Sequence, residues 1–296
     1  MLFFVLLVII YPELMNMEKQ KKIALINDLS CVGRSSLTAA LPIVSVCGFH
    51  AVPLPTGIFS SQTAEDGYVY VDISEKLPDF CGQWKSIGLD FDCIYTGYLA
   101  GREQAEIIKR FIIDFKKSGT VCVVDPVMGD DGRLYKGINE SMADDMRFLC
   151  SVADIILPNV TEAELLTGTT PSAAPYDVEY IKQLMAKTRN IGCPRTAITG
   201  IDTGDGQIGC AVYDSLTGKA NMFFMPKTEG GYPGAGDVFA SVVTAAFMKG
   251  IDFTRCVQLA MGFTGEAVAV TAQNGENVNY GLCFEPLLPK LIRAVK

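Results

Sequence analysis

The run Gly231-Tyr232-Pro233-Gly234-Ala235-Gly236-Asp237 carries the sharpest chemical signal in the chain. Glycines let backbone N–H groups approach an anion closely. The apolar run that follows, from Gly236 to Lys249, predicts a helix whose amino end adds a favourable field for negative charge. A carboxylate in the first turn is an unusual companion for an anion site. Asp237 reads either as a helix-start residue, where Asp is favoured whatever the function, or as a base beside an anion hole. In the second role it would accept a hydroxyl proton as the alkoxide attacks phosphorus.

A second acidic run is Asp125-Pro126-Val127-Met128-Gly129-Asp130-Asp131-Gly132, at the end of an apolar segment. It reads as a solvated turn or as a magnesium site, because hard cations take oxygen ligands and bring nucleotide phosphates with them. Asp125 and Asp130 are the expected ligands, and Asp131 is expected to face solvent. The third run is Pro158-Asn159-Val160-Thr161-Glu162. There Glu162 reads as the far member of a capping box or as water-mediated support of magnesium. Asn159-Val160-Thr161 also matches a glycosylation sequon, which matters only in a secreted protein.

Two patterns are set aside. Gly204-Asp205-Gly206-Gln207-Ile208-Gly209 matches G-x-G-x-x-G, but a strand follows it where a dinucleotide site needs a helix, so it reads as a hairpin turn. No Walker A sequence occurs, and with His50 as the only histidine no serine-hydrolase triad suggests itself.

The elements that must position these residues alternate short apolar β-branched runs with longer amphipathic ones, the pattern of βα units and a parallel sheet. Strands are expected at Ile23–Ile26, Phe91–Thr96, Val121–Asp125, Asp154–Leu157, Thr196–Thr199 and Gly209–Tyr213. Helices are expected at Ser36–Cys47, Glu103–Lys117 and Gly236–Lys249. Several of these strands end in Asp, Asn or Gly, on the edge where open α/β sheets bind ligands.

At 296 residues and 49% hydrophobic content the chain can bury a large core unaided. No linker, low-complexity stretch or repeat divides it. A net charge of -8 argues against nucleic-acid binding, which needs clustered Lys and Arg, but says little about a mononucleotide. The ten cysteines form no C-x-x-C pair, and several lie inside apolar runs, so a reduced, cytoplasmic protein is expected. The apolar stretch Met1–Ile10 has no preceding basic residue and no cleavage site, and falls short of the roughly 18 residues a membrane span needs. With Met17 directly before Glu18-Lys19-Gln20-Lys21-Lys22, residues 1–16 read as an upstream extension and 17–296 as one domain.

From Lys22 onward the motifs, in order, are Pro53-Leu54-Pro55-Thr56, Thr96-Gly97-Tyr98-Leu99, Asp125-Pro126-Val127-Met128-Gly129-Asp130, Asn159-Val160-Thr161-Glu162 and Gly234-Ala235-Gly236-Asp237. The conjunction resembles the ribokinase superfamily and, within it, the pyridoxal/pyridoxine/pyridoxamine (vitamin B6) kinases. The resemblance implies an α/β, ribokinase-like three-layer sandwich with a mostly parallel central sheet and helices on both faces. It implies ATP and Mg2+, leaves a monovalent cation open, and implies a homodimer. It further implies that Asp237 is the base, that the backbone of Gly234, Ala235 and Gly236 forms the anion hole, and that Asp125, Asp130, Asn159 and Glu162 organise metal and phosphates. Thr56 would face the substrate ring and Tyr98 pack against it, with Thr199 and Gly200 near the nucleotide. The sequence departs from the B6 kinases at Asn27-Asp28, where they carry Gln-Ser-His; Asn27 or Asp28 would replace the ring-contacting serine. The Gly-Ser-Asp-x-Ser-Gly-Gly-Ala-Gly run of hydroxymethylpyrimidine kinases is absent. Hydroxymethylpyrimidine or another small alcohol remains the alternative acceptor, and a non-catalytic vitamin-binding protein the alternative of another class.

Overall fold

The computed structural model describes residues 19–296; the expectations for residues 1–16 and for a start at Met17 lie outside that range. In chain order the elements that matter are β1 (Lys22–Ser30), α1 (Ser36–Val46), β2 (His50–Phe59), β3 (Tyr70–Asp72), α2 (Leu77–Ser86), β4 (Cys93–Thr96), α3 (Arg102–Phe115) and β5 (Val121–Val124). The hairpin β6 (Gly129–Asp130) and β7 (Arg133–Leu134) precedes α4 (Met142–Ser151), β8 (Ile155–Ile156), α5 (Val160–Leu166) and α6 (Val178–Thr188). The chain closes with β9 (Arg195–Asp202), β10 (Gln207–Asp214), β11 (Lys219–Pro226), α7 (Ala235–Met248), α8 (Phe253–Asn274) and α9 (Leu288–Ala294).

Nine strands form one sheet in the order β11-β10-β9-β8-β5-β4-β1-β2-β3. Its middle, from β2 to β9, is parallel, and only the marginal pairings β2–β3, β9–β10 and β10–β11 are antiparallel. Side chains alternate between two covered faces, so the parallel strands read as continuous apolar runs. Ile23 and Leu25 join a core with α1, α7, α8 and α9. Ala24 and Ile26 join the opposite core with α2, α3 and α4. The expected three-layer sandwich is therefore present.

β2 carries Pro53 and Pro55, residues disfavoured inside a strand. β2 tolerates them because β3 pairs only with Gly57–Phe59, so at the prolines β2 has β1 alone for a neighbour. The segment at Gly204–Gly209 is the turn and start of the β9–β10 hairpin, as expected. Helix α8 and strand β11 are among the elements that lie outside the expected ones.

β1 has β2 on one side and β4 on the other, and the later parallel strands continue outward from β4. The chain therefore changes direction of winding at β1, and a crevice opens there beyond the strands' carboxyl ends. A register shift between Asn27 and Leu29 adds a residue on β2 opposite Asp28. Such a bulge re-aims side chains locally, here at the mouth of that crevice.

Candidate active site

Asn27, in β1, and Gly97-Tyr98, just past β4, meet at the change of winding. A side chain at Gly97 would overlap Asn27, its nearest atom 2.5 Å away, so glycine makes room for the amide there. The Asn27 Oδ1 accepts the Tyr98 N–H at 2.8 Å, and its Nδ2 donates to Asp237 Oδ1 at 3.3 Å. Asp237 stands in the first turn of α7.

Asp237 is a first-turn residue of α7, as the helix-start reading expects, but it does not cap the helix. Gly234 is the capping residue, and no side chain caps the amino end of α7. The Asp237 carboxyl faces Asn27 and the backbone of Ser36 instead. Gly234 is required at its position: φ is +82°, and a methyl group would run into the carbonyl oxygen of Arg34. Gly236 faces open space on its Cβ side. That leaves a backbone surface at a positive helix end, suited to an anion. The Ala235 N–H is already shared with the Tyr232 carbonyl at 3.2 Å.

Burial raises the Asp237 carboxyl to about 6, helped by the charge of Asp28 and opposed by hydrogen bonds from Ser36 and Asn27. A carboxyl held near neutrality suits general-base work. Asp28 is buried; its two oxygens accept Ser36 Oγ at 2.5 Å and Ser30 Oγ at 3.0 Å, and burial raises it too. Ser36 itself has φ +50°, a left-handed conformation rare for a residue with a side chain.

Thr56 is fully buried. Its hydroxyl donates to the Tyr98 carbonyl at 2.9 Å, and its own carbonyl accepts from Gln104 at 2.6 Å. Thr56 therefore fixes Tyr98 directly. Around them stands an aromatic wall that the sequence did not disclose. Phe59 lies 4.5 Å from Tyr70, 5.5 Å from Tyr68 and 6.0 Å from Tyr98, ring centre to ring centre. The wall exists because the β2–β3 pairing brings Tyr70 opposite Phe59.

On the other side of Asp237 lie Asp125, just past β5, and Glu162, in the first turn of α5; both are buried. Burial and the neighbouring Asp237 push Asp125 well above the usual carboxylate range, and burial and Asp125 do the same to Glu162. Glu162 does form the capping box, its Oε2 accepting the Asn159 N–H at 2.9 Å while Asn159 Oδ1 accepts the Glu162 N–H at 2.9 Å. Its other oxygen accepts the Met128 N–H at 3.1 Å, and Asn159 Nδ2 donates to the Gly129 carbonyl at 2.7 Å. Together they pin the acidic loop to the next strand end. Thr199 bridges to Asn159, and Gly200, at φ +73°, lies beside the Asn159 Cβ.

Asp130 departs from expectation in its placement. It sits exposed in the β6–β7 hairpin, accepting the Asp131 N–H at 2.9 Å. Among the described residues no three acidic, histidine or cysteine side chains gather into a metal cage. The remaining donor set still fits magnesium, which takes one or two carboxylates and completes its shell with water and phosphate oxygens. No ion pair among the described residues involves Asp28, Asp125, Glu162 or Asp237. The buried Tyr95 hydroxyl lies close to Asp125 and Asp237. Buried carboxyls without a cation are costly, and a bound metal would relieve them. Asp131 is exposed, as expected.

Comparison with known proteins identifies the family. The family model for phosphomethylpyrimidine kinase matches residues 37–281. A Bacteroides thetaiotaomicron protein provisionally assigned to that activity, crystallised with pyridoxal, superposes with a TM-score of 0.88 at 34% identity, over 92% of this chain and 96% of its own. Pyridoxal kinase from Lactobacillus plantarum superposes with a TM-score of 0.84 at 31% identity, over 93% and 98% of the two chains. A provisionally assigned pyridoxal kinase of Schizosaccharomyces pombe is 26% identical over 278 residues, 86% of this chain and 87% of that one. The chain belongs to the phosphomethylpyrimidine kinase family, on the ribokinase-like fold, and is a phosphotransferase with an alcohol group as acceptor.

Proposed function

We propose that the chain transfers the γ-phosphoryl group of ATP to the 5'-hydroxymethyl oxygen of a B6 vitamer: pyridoxal, pyridoxamine or pyridoxine. The observation that carries this reading is the Asn27 bridge. One amide ties the acceptor side, through Tyr98, to the base, Asp237, so the alcohol and its proton acceptor are held by a common group. The relatives named pyridoxal kinase, and the related structure crystallised with pyridoxal, support the choice of acceptor.

In this reading the ring lies against the wall of Phe59, Tyr70 and Tyr98, near Thr56 and Asp28. Asp237 takes the hydroxyl proton as the oxygen attacks phosphorus. The backbone from Gly234 to Gly236 faces the transferring group, whose negative charge the helix end stabilises. Asn159, Thr199 and Gly200 line the nucleotide side. Asp125, with Glu162 and Asp130 as outer partners, would hold magnesium, which neutralises phosphate charge when bound. Positioning and electrostatics supply most of the acceleration.

The ten cysteines, none of them in a disulfide, support a cytoplasmic setting. Val69 and Val71, exposed on and beside the edge strand β3, offer a surface for pairing two copies, consistent with a homodimer. The deciding experiment assays pyridoxal, pyridoxamine, pyridoxine and hydroxymethylpyrimidine in parallel with MgATP. The expected result is preference for at least one B6 vitamer. Preference for hydroxymethylpyrimidine would replace the acceptor, and binding of a vitamer without ATP turnover would replace the enzymatic reading.

A further inference from the structure

Arg34 lies between β1 and α1, where no sequence motif points, yet its backbone is wedged between two glycines. Its carbonyl oxygen occupies the space a side chain at Gly234 would need, and lies 2.7 Å from where a Cβ on Gly281 would stand. Its N–H donates to the Tyr280 carbonyl at 2.8 Å, and Arg34 bridges to Gly281 as a short parallel pair. The amino end of α7 therefore rests directly on the Arg34 peptide.

The side chain anchors that peptide from the far side. Arg34 Nε donates to Glu285 Oε1 at 2.6 Å, and one terminal nitrogen donates to Glu276 Oε2 at 3.1 Å. Glu276 also accepts the Cys283 thiol at 3.3 Å, and the Cys283 N–H donates to Thr271 Oγ1 at 2.8 Å, tying the segment to the end of α8. Two residues after Arg34, Ser36 presents its backbone to Asp237 and its hydroxyl to Asp28.

We infer that Arg34 is a positioning residue for phosphoryl transfer: its ion pairs with Glu276 and Glu285 hold the peptide that sets the α7 amino end against the acceptor side of the crevice. Arg34 need touch neither substrate. The pairs are partly exposed, with Arg34 at 27% and the two glutamates at 46% and 47% side-chain exposure, so their own contribution to folding is small. Their contribution to geometry is larger, because a displacement of about 1 Å at the reacting centre costs on the order of 10²-fold in rate.

The inference rests on the reading of Gly234–Asp237 as the transfer site, and the test separates the two. In Arg34→Gln, kcat is expected to fall at least about tenfold while KM for ATP and for the acceptor stay within about twofold and the melting temperature changes little. The Kd for MgADP alone should be unchanged. Binding of MgADP with aluminium fluoride and acceptor, which mimics the transferring group, should weaken in parallel with kcat. The charge-exchanged double variant R34E/E285R should recover part of the loss. If Arg34→Gln does not fold, Glu276→Gln combined with Glu285→Gln asks the same question from the carboxylate side. A folded variant with wild-type kcat and wild-type aluminium fluoride affinity overturns the inference. So does a loss that falls equally on MgADP alone. Wild-type turnover in Asp237→Asn would instead remove the underlying site reading.

Discussion

Asn27 accepts the Tyr98 N–H on its side-chain Oδ1 and donates from Nδ2 to the carboxylate of Asp237, 210 residues further along the chain. The aromatic wall and the proposed base are thereby coupled through one side chain at the change of winding in the sheet.

Asp237→Asn keeps the shape of that contact and removes the proposed base. Turnover is expected to drop about 10²–10⁴-fold while the Kd for MgATP stays nearly constant. Steady-state kinetics with nucleotide binding by calorimetry check this, and near-normal turnover would exclude Asp237 as the base.

The pH profile follows from the same carboxyl. In the proposed mechanism its ionised form accepts the proton, and burial raises its titration to about 6. The ionised fraction therefore falls as pH drops through that value, and kcat/KM should decline about tenfold per unit on the acid side. Asn27→Ala removes a hydrogen bond that favours the charged form, so the acid limb should move to higher pH. An unchanged limb would contradict the assignment.

Gly234→Ala and Gly236→Ala should part company. The first forces a side chain into a left-handed conformation and against the Arg34 carbonyl, costing at least about 1–2 kcal/mol. The second meets nothing within 4 Å and should stay within about 0.5 kcal/mol of wild type. Thermal or urea melts of both variants decide it.

Asp28 sets a negative charge close to Tyr98 and Tyr70. Asp28→Asn should lower kcat/KM for pyridoxamine, which carries an ammonium group, about tenfold more than for pyridoxine, the scale of one partly screened charge pair. An unchanged ratio between the two vitamers would place that ammonium group away from Asp28.

Asp237, Asp125 and Asn159 are legible in the sequence because each stands at the end or start of a long apolar run, where periodicity fixes its place on the sheet edge. Asp130 stands in the same motif, yet a local hairpin too short to show periodicity turns it outward. Phe59, Tyr68 and Tyr70 join the site only through the β2–β3 pairing, and Pro53 and Pro55 hide β2 from pattern reading. The left-handed Ser36 and the wedge at Arg34 follow from packing against α7 and Gly281, contacts more than two hundred residues away in sequence. Local residue preference carries no trace of them.

The contact between Arg34 and Gly281 also bears on the order in which the molecule can be made. A nascent chain that has emerged only as far as α7 already contains every residue assigned to the reaction. It still lacks the strap that seats Arg34 against the start of that helix. Phosphoryl-transfer competence should therefore be acquired abruptly, when residues 276–285 clear the ribosome.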